Sequence, residues 1–309
     1  MVAADSGPLL QACVDAVLAS PAAHELLLVD NASQDGEVER AVARHPGEPR
    51  LRVLRHATNL GFGPACNRGA AAAAGDVLVF LNPDCIVPEG TLAAMAAILR
   101  GNDTLGLLGA CVCDPDGHPA RGNRRRDPTL RRAVMALTGL ARFEARWPML
   151  GGIEMPPGAG AACGPGGNGG DAGSLEDVEA VSGACMALPR AAFDRVGGFD
   201  EAYFLHVEDL DLCRRIRDAG LRVAIVPTLR VIHAQGSSSH HRPLFVAWHK
   251  HRGMWRWFNR FDPAARNPLL RALVWCGLWA RFAVLSPWWV LRQRRRARVH
   301  FHRPTPRPG

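Results

Sequence analysis

Three carboxylates crowd one short stretch of the chain. Glu208, Asp209 and Asp211 stand in "HVEDLDLCRRIRDAG", at the first turn of a stretch that reads as a helix ending at Gly220. A carboxylate walled by Phe204, Leu205 and Val207 could take a proton as a general base. The same acids, with Arg214, Arg215 and Arg217 behind them, equally suit the dipole of a helix start, and the residues alone leave both readings open. A fourth acid, Asp84, follows the apolar run 77–81 and the rigid Pro83 in "VLVFLNPDC". His233 follows an apolar run and precedes a small-residue loop, as a structural histidine or a metal ligand. Asp30 and Asn31 close the run "ELLLVD" and its next residue. Asn59 opens the turn "NLGFGPACNRG", which contains Gly61 and leads into a helix carrying Asn67. Glycines let backbone approach a ligand and a helix start favours phosphate, though a plain strand-to-helix turn reads the same way.

These residues need a scaffold that brings them to one rim. Apolar runs of strand length lie at 25–30, 51–55, 76–81, 105–112, 184–189 and 221–227. Most are continuous rather than alternating, as strands covered on both faces are. Helix-like stretches fall between them at 8–19, 37–44, 64–74, 90–99 and 208–219. The alternation predicts an α/β fold with a mostly parallel sheet flanked by helices. Ligands of such sheets sit beyond the carboxyl ends of the strands, which is where Asp84 stands.

Composition narrows the class. A chain of 309 residues with 48% apolar and 21% charged residues is globular, not disordered. Nine cysteines in a chain this long do not read as a disulfide framework, and no basic-then-apolar leader opens the sequence. Both point to a reduced cytoplasmic setting. The charge is split: residues 1–239 carry 22 arginines against 28 acids, whereas 240–309 carry 15 Lys and Arg against one acid, Asp262. Seven of the eight tryptophans also lie in that tail. Its stretch 272–290 is long enough to span a bilayer, but Arg281 at the centre would cost roughly 2.5–3.5 kcal/mol on insertion. Arg271, Arg281 and Arg292 predict a polar stripe. With Trp288, Trp289 and the run "RQRRRAR", this favours a helix lying on an anionic membrane surface. No recognised nucleic-acid module accompanies the charge, so no nucleic-acid partner is expected.

Taken together, "VDNASQDG", "NLGFGPACNRG", "LNPDC", "VSGACMALPRAAFDRVGGFDEAYFLHVEDLDLCRRIRDAG" and "VIHAQGSSS" occur in one order across residues 1–239. In this the chain resembles the family 2 nucleotide-sugar glycosyltransferases of GT-A fold, in their bacterial rhamnosyltransferase-like subgroup. The resemblance implies a nucleotide-sugar-binding half at 1–114 and an acceptor-binding, catalytic half at 115–239. The second half contains the glycine-rich loop 156–174, and the membrane-associating tail 240–309 follows. It implies that Asp30 and Asn31 hold the nucleotide base and ribose, and that Asn59, Gly61 and Asn67 line the donor pocket. Asp84 would reach a divalent Mg²⁺ or Mn²⁺ on the sugar diphosphate, His233 would be a second ligand, and Asp209, paired with Glu208, would be the base. The reaction would move a sugar, rhamnose being one candidate, from a deoxythymidine- or uridine-diphosphate donor. The acceptor would be a lipid-linked or cell-surface glycan, with inversion, at the inner face of the cell membrane.

Two departures stand out. Asn82 occupies the place of the first acid of the family's Asp-x-Asp motif. The first strand is nearly absent, because the chain begins at Met1; the expectation is a start further upstream or a truncation. A stunted central strand would then leave a wall of the base pocket missing. That departure motivates the rival reading, a catalytically inactive nucleotide-sugar-binding or scaffold protein.

Overall fold

The computed structural model describes residues 1–155, 175–233 and 242–301, with side chains up to residue 290. The glycine-rich loop 156–174, the end of "VIHAQGSSS" and the side chains of the run 292–298 lie outside the described residues.

Strand and helix alternate from the start. They run β1 (Val2–Ala3), α1 (Leu9–Ala19), β2 (Leu26–Asn31), α2 (Glu37–Arg44), β3 (Leu51–His56) and α3 (Phe62–Ala72). Next come β4 (Val77–Leu81), β5 (Cys85–Ile86), α4 (Thr91–Arg100), β6 (Leu105–Cys113), β7 (Arg124–Arg125) and α5 (Leu130–Leu137). The second half adds β8 (Glu176–Asp177), β9 (Ala180–Val181), β10 (Cys185–Pro189), α6 (Arg190–Arg195), α7 (Glu208–Asp218) and β11 (Arg222–His233). Two long helices close the chain, α8 (Pro243–Phe261) and α9 (Pro268–Phe301).

β1, β2 and β3 form a parallel sheet. A second sheet runs β4-β10-β6-β11-β5, with β8 on the side of β11. β4 and β6 both lie antiparallel to β10, and β11 is parallel to β6, so the long strands other than β10 share one direction. A simple series of βαβ units does not anticipate β10, which the second half of the chain inserts, reversed, between two strands of the first half. Segments 1–114 and 115–239 therefore build one sheet.

Side chains alternate across it as the pleat requires. Cys185 and Ala187 of β10, with Ala224 and Val226 of β11, face a core completed by Leu10 and Val14 of α1 and Met95 of α4. Met186, Leu188, Val223 and Ile225 face the other core, with Ala65 of α3, Leu212 and Ile216 of α7 and Trp257 of α8. Helices thus cover both faces, which is why these strands read as continuous apolar runs.

β1 has two residues, pairs Val2 with Val29 and Ala3 with Asp30, and pairs with no residue of β4. The part present lies beside the carboxyl end of β2, at the rim where ligands bind. At the other end, an apolar cleft of about 310 Å³ runs between β2 and β4, lined by Leu26, Leu27, Val77 and Leu78 among others. On the rim side, Asp5 Oδ1 accepts from the Gln34 N–H at 2.7 Å, and the Gly7 N–H donates to Asp35 at 2.9 Å. These bonds brace the loop after β1 against the loop after β2.

Candidate active site

The rim holds strained backbone. Among the described residues, four non-glycine residues have positive φ: Asp5, Ala32, His206 and Val207. Asp5 and Ala32 follow β1 and β2, and the other two immediately precede α7. A β-branched valine at φ 75° is an outlier that costs of order 1–3 kcal/mol, held only where the surroundings fix it. Val207 is buried, and the strained turn aims Glu208 and Asp209 as the first residues of α7.

Asp209 is held from three sides. Its Oδ2 accepts from Arg125 Nη2 at 2.6 Å and from the Gly183 N–H at 3.1 Å, and its Oδ1 accepts from the Leu210 N–H at 2.8 Å. Arg125 comes from β7 and also donates to the Val181 carbonyl of β9. A Cβ at position 183 would lie 3.1 Å from the Asp209 Cβ, so a larger residue there would press on Asp209. Burial would raise the Asp209 carboxyl, but the charge and hydrogen bond of Arg125, with the two backbone N–H groups, hold it below the usual carboxylate range. Glu208 goes the other way. Burial and the adjacent Asp209 charge push it up to about 8, and its Oε2 is buried with no hydrogen-bond partner. The pair is thus one ionised and one protonated carboxyl at neutral pH. Asp211 is fully buried and holds Arg215 at 2.5 Å and Arg260 at 3.1 Å. It ties α7 to α8.

Asp84 and His233, 149 residues apart, are joined by strand pairing. β5 runs antiparallel to β11 with Cys85 opposite His233, and His233 Nε2 lies 3.0 Å from Asp84 Oδ1. Asp84, Cys85 and His233 form a group whose ligand atoms lie within 4.8 Å of one another. A carboxylate and an imidazole suit a divalent cation. Burial pushes the Cys85 thiol far above its ordinary range.

One turn connects the two acid sites. Gly183 donates to Asp209, while the next carbonyl, that of Ala184, accepts from the Asn82 N–H at 2.9 Å. The turn between β9 and β10 therefore contacts Asp209 directly and the segment that leads to Asp84 through Asn82.

The other predicted residues sit on the loops after β2 and β3. Asp30 accepts from the Ser33 N–H and from Arg55, each at 2.9 Å. Asn31 accepts from the Leu60 N–H at 2.9 Å, and donates to Asn59 at 2.9 Å and to the Gly61 carbonyl at 3.1 Å. Asn59, Asn31 and Gly61 thus form one knot. Asn67 is engaged elsewhere. Its amide donates to the Phe199 carbonyl at 2.9 Å and to Glu201 at 3.1 Å, and its oxygen accepts from the Phe199 N–H at 2.8 Å. It clamps α3 to the segment before α7. Sequence reasoning did not single out Arg125 or Gly183. The run "NRRRDP" marked Arg125 only as one of three arginines, and nothing local to it points to α7.

Comparison with known proteins agrees with this geometry. The family description "Glycosyl transferase family 2" matches residues 1–149, and "N-terminal domain of galactosyltransferase" matches residues 175–241. The N-acetylglucosaminyl-diphospho-decaprenol L-rhamnosyltransferase of Mycobacterium tuberculosis is 30% identical over 272 residues, covering 79% of this chain and 82% of that protein. The chain belongs to the family 2 glycosyltransferases. A second relative of this glycosyltransferase, the rhamnosyltransferase WbbL of Escherichia coli K12, is 43% identical over 56 residues, 18% of this chain and 21% of that one. In fold, the glycosyltransferase is similar to a mannosyltransferase of Pyrobaculum calidifontis solved with GDP-Man and Mn²⁺. The TM-score is 0.55 at 18% identity, over 99% of this chain and 75% of that one. The fold is GT-A and the chain is a glycosyltransferase, with a group of side chains able to hold a metal ion.

Proposed function

We propose that this glycosyltransferase moves rhamnose from a deoxythymidine- or uridine-diphosphate donor to a lipid-linked glycan, inverting the anomeric centre. The observation that carries the reading is the turn 182–184, whose Gly183 N–H holds Asp209 and whose Ala184 carbonyl holds Asn82, two residues before Asp84. A base on one side and a diphosphate site on the other is what inversion by direct displacement needs. The relative from M. tuberculosis, named for a rhamnosyl transfer to a diphospho-decaprenol, supports the sugar and the acceptor class.

Asp84 and His233 would hold the metal, Mg²⁺ or Mn²⁺. When bound, it offsets the charge that builds on the departing diphosphate. Asp209, kept ionised by Arg125, accepts the proton of the acceptor hydroxyl. Glu208, protonated beside it, keeps a second negative charge out of the acceptor side. Asp30 and the knot of Asn31, Asn59 and Gly61 shape the floor for the nucleotide base and ribose, and Asn67 braces the wall behind it. Nothing in the geometry favours the inactive scaffold.

The tail supports a peripheral membrane location at the inner face. Pro268–Val290 has 23 residues of mean hydropathy 1.4, long and apolar enough to cross a membrane. Arg281, however, reaches His251 of α8 at 3.1 Å, and Arg271 lies over Trp255 at 5.9 Å. Two arginines of the stripe thus touch α8 while staying exposed, and Leu269, Leu273, Val284 and Trp288 are exposed as well. Exposed apolar side chains with arginines beside them suit a helix lying in the interface.

The test is a panel of nucleotide sugars with a polyprenyl-diphosphate N-acetylglucosamine acceptor, with and without Mn²⁺. The expected result is transfer from a rhamnosyl donor, with inverted anomeric configuration by NMR. A retained configuration, or donor binding whose metal dependence survives Asp84→Ala, would overturn the mechanism.

A further inference from the structure

Large apolar side chains reach solvent in a confined pattern. Among the described residues they are Val42 and Ile232, singly, and otherwise two groups. One group is on the α8–α9 hairpin. The other is the lobe 130–150, made of α5 and two short 3-10 turns, Leu140–Phe143 and Pro148–Leu150. Val134, Leu137, Leu140, Phe143, Trp147 and Met149 are all exposed there, Leu137 by 74% and Met149 by 70%. No residue of α5 or of the two turns is buried, so the core does not account for their apolar character. A soluble monomer rarely gathers so much apolar surface without a contact to make.

The chemistry around these residues selects the contact. Arg142 sits over the Phe143 ring at 4.7 Å and Arg146 over the Trp147 ring at 5.6 Å. Neither arginine has a carboxylate partner among the described residues. The lobe's one acid, Glu144, is taken by Arg126 at 2.5 Å. Aromatic rings with arginines stacked on them, beside bare Leu and Met, fit the boundary between lipid headgroups and acyl chains. A second copy of the lobe would bring like charges together at an isologous contact.

Its position completes the argument. β7, whose Arg125 holds Asp209 at 2.6 Å, leads within five residues into α5. The Leu130 N–H donates to Asp262 at 2.6 Å, at the corner where α8 gives way to α9. The lobe thus joins the acceptor side of the site to the base of the tail.

We infer that the lobe 130–150 is a second lipid-contacting surface, which seats on an anionic bilayer and holds the mouth of the site against it. The inference rests on the membrane-surface reading of the tail. It adds that the acceptor's membrane is gripped from two sides of the site.

The test uses the full chain and vesicles of equal parts phosphatidylglycerol and phosphatidylcholine. L137E/W147E/M149E should weaken vesicle partitioning roughly tenfold or more, with an unchanged melting temperature because all three residues are exposed. R142Q/R146Q keeps the apolar residues and should lose affinity only for the anionic vesicles, not for phosphatidylcholine alone. A tail variant, L269E/L273E, is run in parallel. If the tail variant loses binding while both lobe variants partition like wild type, the lobe inference is overturned and the membrane reading stands. If wild type itself does not partition, both fall. A wild-type dimer that L137E/W147E/M149E dissolves to monomer would make the lobe a contact between copies and overturn the inference.

Discussion

At the scale of the residue, the mechanism turns on how two neighbouring carboxyls are driven apart. Asp209→Asn keeps size and most hydrogen bonding but removes the proton acceptor. Single-turnover transfer should fall by about 10²–10⁴ while donor affinity, measured calorimetrically on the same sample, stays put. Near wild-type transfer would move the base to Glu208, since Asp211 is committed to Arg215 and Arg260. Arg125→Gln removes the charge that keeps Asp209 ionised. The acid limb of the transfer rate should then move to higher pH; a purely structural role for Arg125 would leave that limb where it was. Glu208 makes an opposite prediction for stability. Its carboxyl rises from an ordinary value of 4.5 unfolded to about 8 folded, so the folded chain binds the extra proton between these values. Stability from this group is complete below about pH 4.5 and is lost as pH rises toward 8. Glu208→Gln should flatten that decline in a series of melting temperatures. An unchanged slope would show that Glu208 does not carry the proton.

At the scale of the element, the site depends on loops being stitched across the rim. Gly61 has φ 93°, and the Phe62 N–H donates to the Phe204 carbonyl at 2.9 Å. A Cβ on residue 61 would come within 2.5 Å of that same carbonyl oxygen. Gly61→Ala should therefore destabilise by about 2 kcal/mol or more, from left-handed strain and the clash together. It should also weaken donor binding, because residue 61 belongs to the Asn31–Asn59 knot; full stability by chemical denaturation would refute the close packing. The elements themselves were legible in the sequence. The runs at 105–112 and 51–55 and the helices at 37–44 and 208–219 differ from the observed bounds by a residue or less. Apolar continuity and helix stops are local signals, carried by neighbours in the chain. The reversal of β10 was not legible, since a strand's direction is set by partners about 75–110 residues away. Arg125 escaped for the same reason, lying 84 residues from Asp209. Asn67 was legible as a polar residue near the rim, but its clamp on Phe199, 132 residues on, shows only in three dimensions.

At the scale of the whole molecule, charge and apolar surface are segregated together. The body, to residue 239, is net acidic; the tail holds 15 basic residues and nearly all the tryptophan. A purely electrostatic attachment would dissolve in salt, because the screening length shrinks to about 3 Å at 1 M. Burial of Leu269, Leu273, Val284 and Trp288 is not screened, and salt that weakens charge attraction leaves or strengthens apolar contact. Membranes carrying the full chain should therefore release only part of it at 1 M salt, and the remainder in alkaline carbonate, which strips peripheral proteins but not spanning ones. The two steps report different forces: the first fraction measures attraction of the arginines to anionic lipid, the second the apolar face of α9. Complete release by salt would leave α9 no role in the bilayer interface. Resistance to carbonate would mean that α9 crosses the membrane, and that the contact between Arg281 and His251 carries a charge through it.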